Sequence, residues 1–131
     1  MGGNSPYAPE PTMAPKPIVW LGLEFAVGAT GAVGATTGDL GEMGATPVTR
    51  NGVGDYTIAL RQGWASLFDG KAQAIGALVT TDGVYAKIIA NSVTSTSAPA
   101  VRFQFEQPGT GAAAEVASGA QVIVTLGLRR T

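Results

Sequence analysis

The chain has 131 residues, enough for one domain built round a single core. Charged residues make up only 13% of it, against roughly 25% in ordinary soluble domains, and the net charge of -1 gives no electrostatic footprint for nucleic acid. Cysteine and histidine are both absent, which excludes disulfides, thiolate catalysis, sulfur- or histidine-held metal and any Ser-His-Asp triad.

Residues 1–17 stand apart in composition, with prolines at 6, 9, 11, 15 and 17 behind Gly2, Gly3, Asn4 and Ser5. Such a run favours extended polyproline geometry and cannot make a core. It reads either as a free tail or as an extended arm that docks elsewhere. In the second case Tyr7 and Met13 are its apolar anchors, and the prolines lower the entropy lost on docking. No basic segment followed by an apolar one suggests a secretory signal.

Residues 18–131 read as a β domain. Val19, Leu21, Leu23, Phe25 and Val27 alternate with Ile18, Trp20, Gly22, Glu24 and Ala26, which predicts a first core strand with one apolar and one mixed face. This most apolar run contains Glu24 and is about half the ~20 residues that cross a bilayer. The segment 28–46 that follows is glycine-rich, with glycines at 28, 31, 34, 38, 41 and 44. Its Gly-Ala-Thr and Gly-Ala-Val triplets lack proline and are interrupted at Thr37, so a flexible loop with one weak hairpin is expected ahead of a collagen-like bundle, which stays open because triplet glycine round a threefold axis would suit a trimer.

Thr49 to Leu60 combine a turn with an alternating strand. A loop Gly52-Val53-Gly54, with Gly54 in the left-handed conformation of a bulge, sets Val48 opposite Ile58 and Arg50 opposite Tyr56. Tyr56, Ile58 and Leu60 then share one face, and Asp55, Thr57, Ala59 and Arg61 the other. This stretch of about a dozen residues resembles a motif of tailed-bacteriophage structural proteins. In those proteins an Arg, a Gly-x-Gly and a Tyr-Thr-Val/Ile-x-Leu/Phe run open a small β-sandwich domain.

Beyond it, Trp64, Leu67 and Phe68 are spaced for one helical turn or a compact loop that plugs the end of the core; an aromatic stacking platform is the alternative. Asp82-Gly83 predicts a two-residue turn in a hairpin from Ala72 to Ala90, pairing Thr81 with Val84, Val79 with Ala86, Ala77 with Ile88 and Ile75 with Ala90. Asn91 to Pro99 is a polar loop. Val101, Phe103 and Phe105 alternate with Arg102, Gln104 and Glu106 in an edge or half-exposed strand that stops at Pro108-Gly109. Ala112 to Ala117 is a candidate short strand, and Gln121 to Leu128, apolar at 122, 124, 126 and 128, is the final core strand. Together these predict an all-β fold, a small antiparallel sandwich with jelly-roll order as one arrangement and an extended Pro-rich N-terminal arm.

Candidate chemistry is sparse. Most acids, including Asp55, Asp69 and Asp82, fall where turns are expected, so a glycosidase-type carboxylate pair is not indicated. Nothing sets a serine at a productive spacing from Lys71 or Lys87. Asp39 and Glu42 lack the dense alternating acids of a calcium loop. The reading is a non-enzymatic chain with no cofactor, metal or small-molecule substrate, and no nucleic-acid or membrane partner.

What the resemblance implies is a virion structural protein, a capsid decoration or cement protein bridging subunits of the major capsid protein on the outer shell. It would self-associate as a homotrimer and be made in the host cytoplasm without a signal peptide. Arm contacts would then fall on Tyr7, Pro9, Pro11, Met13, Pro15 and Ile18, with loop or oligomer contacts on Trp64, Leu67 and Phe68. Two alternatives stay open: a fibre or receptor-binding head that reads a glycan through Trp64, Phe68 or the Ser/Thr loops, and a tail or head-tail component.

Overall fold

The computed structural model describes residues 16–76 and 82–131. Among them the chain forms β1 (Ile18–Val27), β2 (Val33–Gly38), β3 (Met43–Gly52), β4 (Asp55–Leu60), β5 (Ser66–Ile75), β6 (Tyr85–Asn91), β7 (Ala100–Glu106) and β8 (Gln121–Arg129). Short 3-10 turns at Ala29–Gly31 and Leu40–Glu42 flank β2. The fold is all-β: one antiparallel sheet in the order β2-β1-β8-β5-β6-β7-β4-β3, curled until its edge strands β2 and β3 approach and nearly close a barrel.

Alternation along each strand decides what fills this barrel. Leu21, Leu23, Phe25 and Val27 of β1 point inward, as do Tyr56, Ile58 and Leu60 of β4, Val101, Phe103 and Phe105 of β7, and Val122, Val124, Leu126 and Leu128 of β8. Burying each large apolar side chain contributes about 1.5–3 kcal/mol, so these four strands carry most of the hydrophobic stabilisation. Loops plug the two ends. Trp64 is buried at one, its backbone N–H donating to the Val93 carbonyl at 2.8 Å, and Ala114, Val116 and Ala120 close the other.

The β3–β4 hairpin has the register its sequence predicts, with Val48 opposite Ile58, Arg50 opposite Tyr56, and Gly54 at φ 64°. The faces predicted for β1, β4, β7 and β8 are also the observed ones. Several other expectations are corrected. The sheet is single, whereas a sandwich has two, and its order is not that of a jelly roll, in which the last strand lies between the first and third; here β8 lies between β1 and β5. The reason is local: β1 to β4 follow one another round the wall through short connections, so neighbours in sequence are neighbours in space.

The glycine-rich segment 28–46 is not a loop but holds β2 and the start of β3, because pairing with β1 satisfies backbone groups that glycine and alanine could not otherwise order. No helical turn spans Trp64 to Phe68, since β5 begins at Ser66. Of the two readings of the 101–106 strand, edge and half-exposed, the second is observed: β7 is paired on both sides, to β6 and β4, with its outward face polar. Ala112 to Ala117 supplies a single bridge, Ala113 to Glu106, and Asp69 lies inside β5 rather than at a turn.

The hairpin from Ala72 to Ala90 has a different register. Gln73 faces Tyr85, the Ala74 N–H donates to the Val84 carbonyl at 2.8 Å, and Ala90 pairs with Arg102 of β7, not with Ile75. The predicted pairs through Ala77, Val79 and Thr81 lie on or against residues outside the described ones. Gly83 lacks the positive φ that a tight two-residue turn needs. It serves close packing, because a Cβ there would meet the Ala114 carbonyl oxygen at 2.6 Å and the Phe105 Cβ at 2.7 Å. Among the described residues β5 and β6 are joined only round Gln73–Tyr85 and the Ala74–Val84 bond, which leaves a seam in the wall.

Candidate interaction surface

The interior is occupied by side chains, so any site must lie on the outside or at the ends. Shallow surface hollows are present among the described residues. One of about 210 Å³ is lined by Lys16, Gln62, Gly63, Trp64, Arg130 and Thr131, and one of about 170 Å³ lies beside Thr57, Asn91 and Arg102. No group of three acids among the described residues is placed to hold a metal ion, and no helix there is long and apolar enough to cross a membrane.

At the end closed by Ala114 and Val116, a polar cluster ties three segments together. Glu115 pairs with Arg50 of β3 and accepts the Gly54 N–H at 3.1 Å. Tyr56 donates its hydroxyl to the Gly31 carbonyl at 2.5 Å. Burial, and then the Glu115 charge, push the Tyr56 phenol up to about 12. The Arg50 guanidinium is itself held above its ordinary value by its hydrogen bond to Glu115. Nearby on the wall, Arg102 binds both oxygens of Asp55, at 2.8 and 2.5 Å. Asn51 adds a third bond at 3.1 Å, and the Asp55 carboxyl is held below the usual range, first by the Arg102 hydrogen bonds. Each group has a structural partner, so the cluster reads as a clasp on the loops.

The outer face of β1, β8 and β5 is different in kind. Trp20 points outward from β1 and lies across Gly127 of β8, where a Cβ would come within 2.8 Å of the indole ring. A bulge between Leu67 and Asp69 turns Phe68 outward on β5, edge-on to Trp20 with ring centroids 6.2 Å apart. The Arg129 guanidinium lies 5.6 Å from the Phe68 ring centre, and its Nη1 donates to the Lys16 carbonyl at 2.8 Å. Trp20 remains 52% exposed and Phe68 56%. Lower on the same wall Ile123, Ile75 and Tyr85 are also exposed, separated from the two rings by the outward-facing Glu24, Lys71, Gln73 and Thr125.

The trio Trp64, Leu67 and Phe68 is thus split. Trp64 is a buried plug with Arg130 stacked 4.9 Å from its ring centre, and among the described residues no partner meets its indole N–H. Leu67 is half-buried against the core, and only Phe68 is available to a partner. The four-residue spacing of Trp64 and Phe68 is real but arises from a strand with a bulge. Ile18 opens β1 opposite Arg129, partly buried. Tyr7, Pro9, Pro11, Met13 and Pro15 lie outside the described residues. Trp20 was missed as a site residue although its place on the mixed face of β1 was legible; what reveals it is Gly127, the glycine that faces it across the ladder. No family model, curated protein or solved structure matches the chain.

Proposed function

We propose that this chain is a non-enzymatic assembly protein of the capsid decoration type, a barrel that caps a larger protein shell and presents its outer face to neighbouring subunits. The observation that supports this most is the aromatic surface around Trp20 and Phe68, carried on a wall of rigid paired strands in a chain with few charges. Large aromatic side chains held half-exposed on a rigid scaffold are the usual anchors of protein interfaces. The Arg50 to Leu60 resemblance points to the tailed-phage shell as the partner, and the filled barrel gives a hard spacer that transmits load between subunits. Residence in the virion and a homotrimeric state belong to the same proposal.

The experiment is co-sedimentation of the purified chain with empty shells assembled from the major capsid protein of its own virus. Saturable binding that raises the disassembly temperature of the shell is the expected result. Absence of binding, together with specific signals on a glycan array, would replace this reading with a receptor-binding head. The burial of Trp64 leaves that alternative with Phe68 and the Ser/Thr loops.

A further inference from the structure

We infer that the Trp20–Phe68 platform is a receptor for the Pro-rich arm of a second copy of this chain, so that arms are exchanged between neighbouring molecules. The contact is between copies and does not depend on a shell. Three observations lead to it. The first is the platform's shape: a tryptophan lying across Gly127 and a phenylalanine standing edge-on at 6.2 Å form an L-shaped aromatic corner. Aromatic corners of this kind accept proline rings, since a polyproline segment is already stiff and loses little entropy on docking.

The second is the spacing in the arm. At three residues per turn and about 3.1 Å per residue, a polyproline helix puts Pro6, Pro9 and Pro15 on one ridge, with Thr12 between them and ~9 Å separating successive positions. Tyr7, Glu10 and Met13 form the adjacent ridge, which carries a carboxylate for Arg129, the cation beside the Phe68 ring.

The third is the direction in which the chain enters the barrel. Lys16 is fixed at the end of β1, its carbonyl held by Arg129 at 2.8 Å and its Nζ donating to the Thr131 carbonyl at 2.6 Å. Lys16 and Ala14 each precede a proline, and that position favours extended backbone. In the proposed exchange the arm keeps that extended form and leaves along the line of β1, where it meets a neighbour and not its own Trp20. Fifteen residues at about 3.1 Å each reach ~45 Å, enough to lie along a neighbouring barrel whose longest strands have 10 residues.

The test is sedimentation equilibrium of the full chain, with two variants. Trp20→Ser/Phe68→Ser alters only exposed rings, and Pro6→Ser/Pro9→Ser/Pro15→Ser alters only the arm; thermal melting of each checks that the barrel is intact. Concentration-dependent association is expected for the parent chain, weakened tenfold or more in either variant, with mixing of the two variants restoring part of it because each supplies the half the other lacks. A parent chain that stays monomeric up to about 100 μM, association that neither variant weakens, or no recovery on mixing would each overturn the inference. So would a monomer whose Trp20 fluorescence responds to the arm variant, since that result places the arm on its own barrel. Failure of shell binding alone would leave the exchange between copies standing.

Discussion

Tyr56 shows how one hydroxyl can join the core of this barrel to its end. Its ring packs between Phe25 and Phe105, with centroids at 5.3 and 5.9 Å, and its hydroxyl closes the turn at Gly31. Because the folded state holds the phenol proton to about 12, while the unfolded chain releases it near 10, the associated stability is complete below ~10 and declines as pH rises towards ~12. Absorbance titration of the parent chain minus that of Tyr56→Phe should therefore show a step near 12; a step near 10 would contradict the buried hydroxyl. Asp55 has the opposite sign. Its carboxyl is held below its ordinary value, so its contribution is present above the normal carboxylate range and lost as pH falls through the lowered one. Asp55→Asn should cost about 1 kcal/mol at neutral pH, at the low end because Arg102 is 45% exposed and screened. The acid limb of its stability curve should flatten.

At the scale of the element, the β3–β4 hairpin depends on one glycine and is indifferent to another. Gly54 has φ 64°, and a Cβ on it would stand 2.4 Å from the Ala114 carbonyl oxygen and 2.8 Å from that of Phe105. Gly54→Ala should destabilise by about 2–3 kcal/mol, combining left-handed strain with a backbone clash. Gly52 meets nothing within 4 Å and has no positive φ, so Gly52→Ala should change stability by less than about 0.5 kcal/mol. Urea denaturation of the pair checks both, and equal losses would refute the assignment of the bulge to Gly54. This hairpin was legible in the sequence because turn and strands lie within a dozen residues and each reinforces the other's register. β1, β7 and β8 were legible for the same kind of reason, a strict alternation of apolar and polar positions. β2 was not, since a Gly-Ala-Thr run carries no such alternation and becomes a strand only when the β1 edge is beside it. Nor was the outward turn of Phe68, because a bulge breaks the period of two without any signature of its own. Of the surface proposed here, Trp20 could be placed on an outer face from sequence, whereas its partnership with Phe68 and Gly127 depends on strand order.

The whole molecule differs from a continuous barrel along the line where β5 leaves β6. β8 pairs along its length with both β1 and β5, and four of its side chains are buried in the core. β6 pairs along its length with β7 alone, touches β5 at Gln73–Tyr85, and contributes only the partly buried Ala86 to the core. Local opening is governed by buried apolar contacts and by the hydrogen bonds that must break, so β6 should separate from the wall in a sub-global step well below the free energy of global unfolding. Hydrogen exchange read by mass spectrometry should then show residues 85–91 exchanging at least a hundredfold faster than residues 121–129. Equal protection would mean that the seam is zipped in solution and the wall continuous. An unzipped seam also leaves two lengths of strand edge that need protection against pairing with foreign strands. Charge supplies part of it: Lys87 on β6 pairs with Glu106 at 2.5 Å, while on β5 Asp69 accepts the Gly70 N–H at 2.9 Å and pairs with Lys71. Neutralising Lys87 and Lys71 together should raise turbidity on heating at temperatures where the core strands remain folded, because the guarded edges would then be the first backbone groups exposed to another chain. If the double variant melted and precipitated in a single step with the parent chain, the seam would carry no aggregation risk and its charges would be ordinary surface residues.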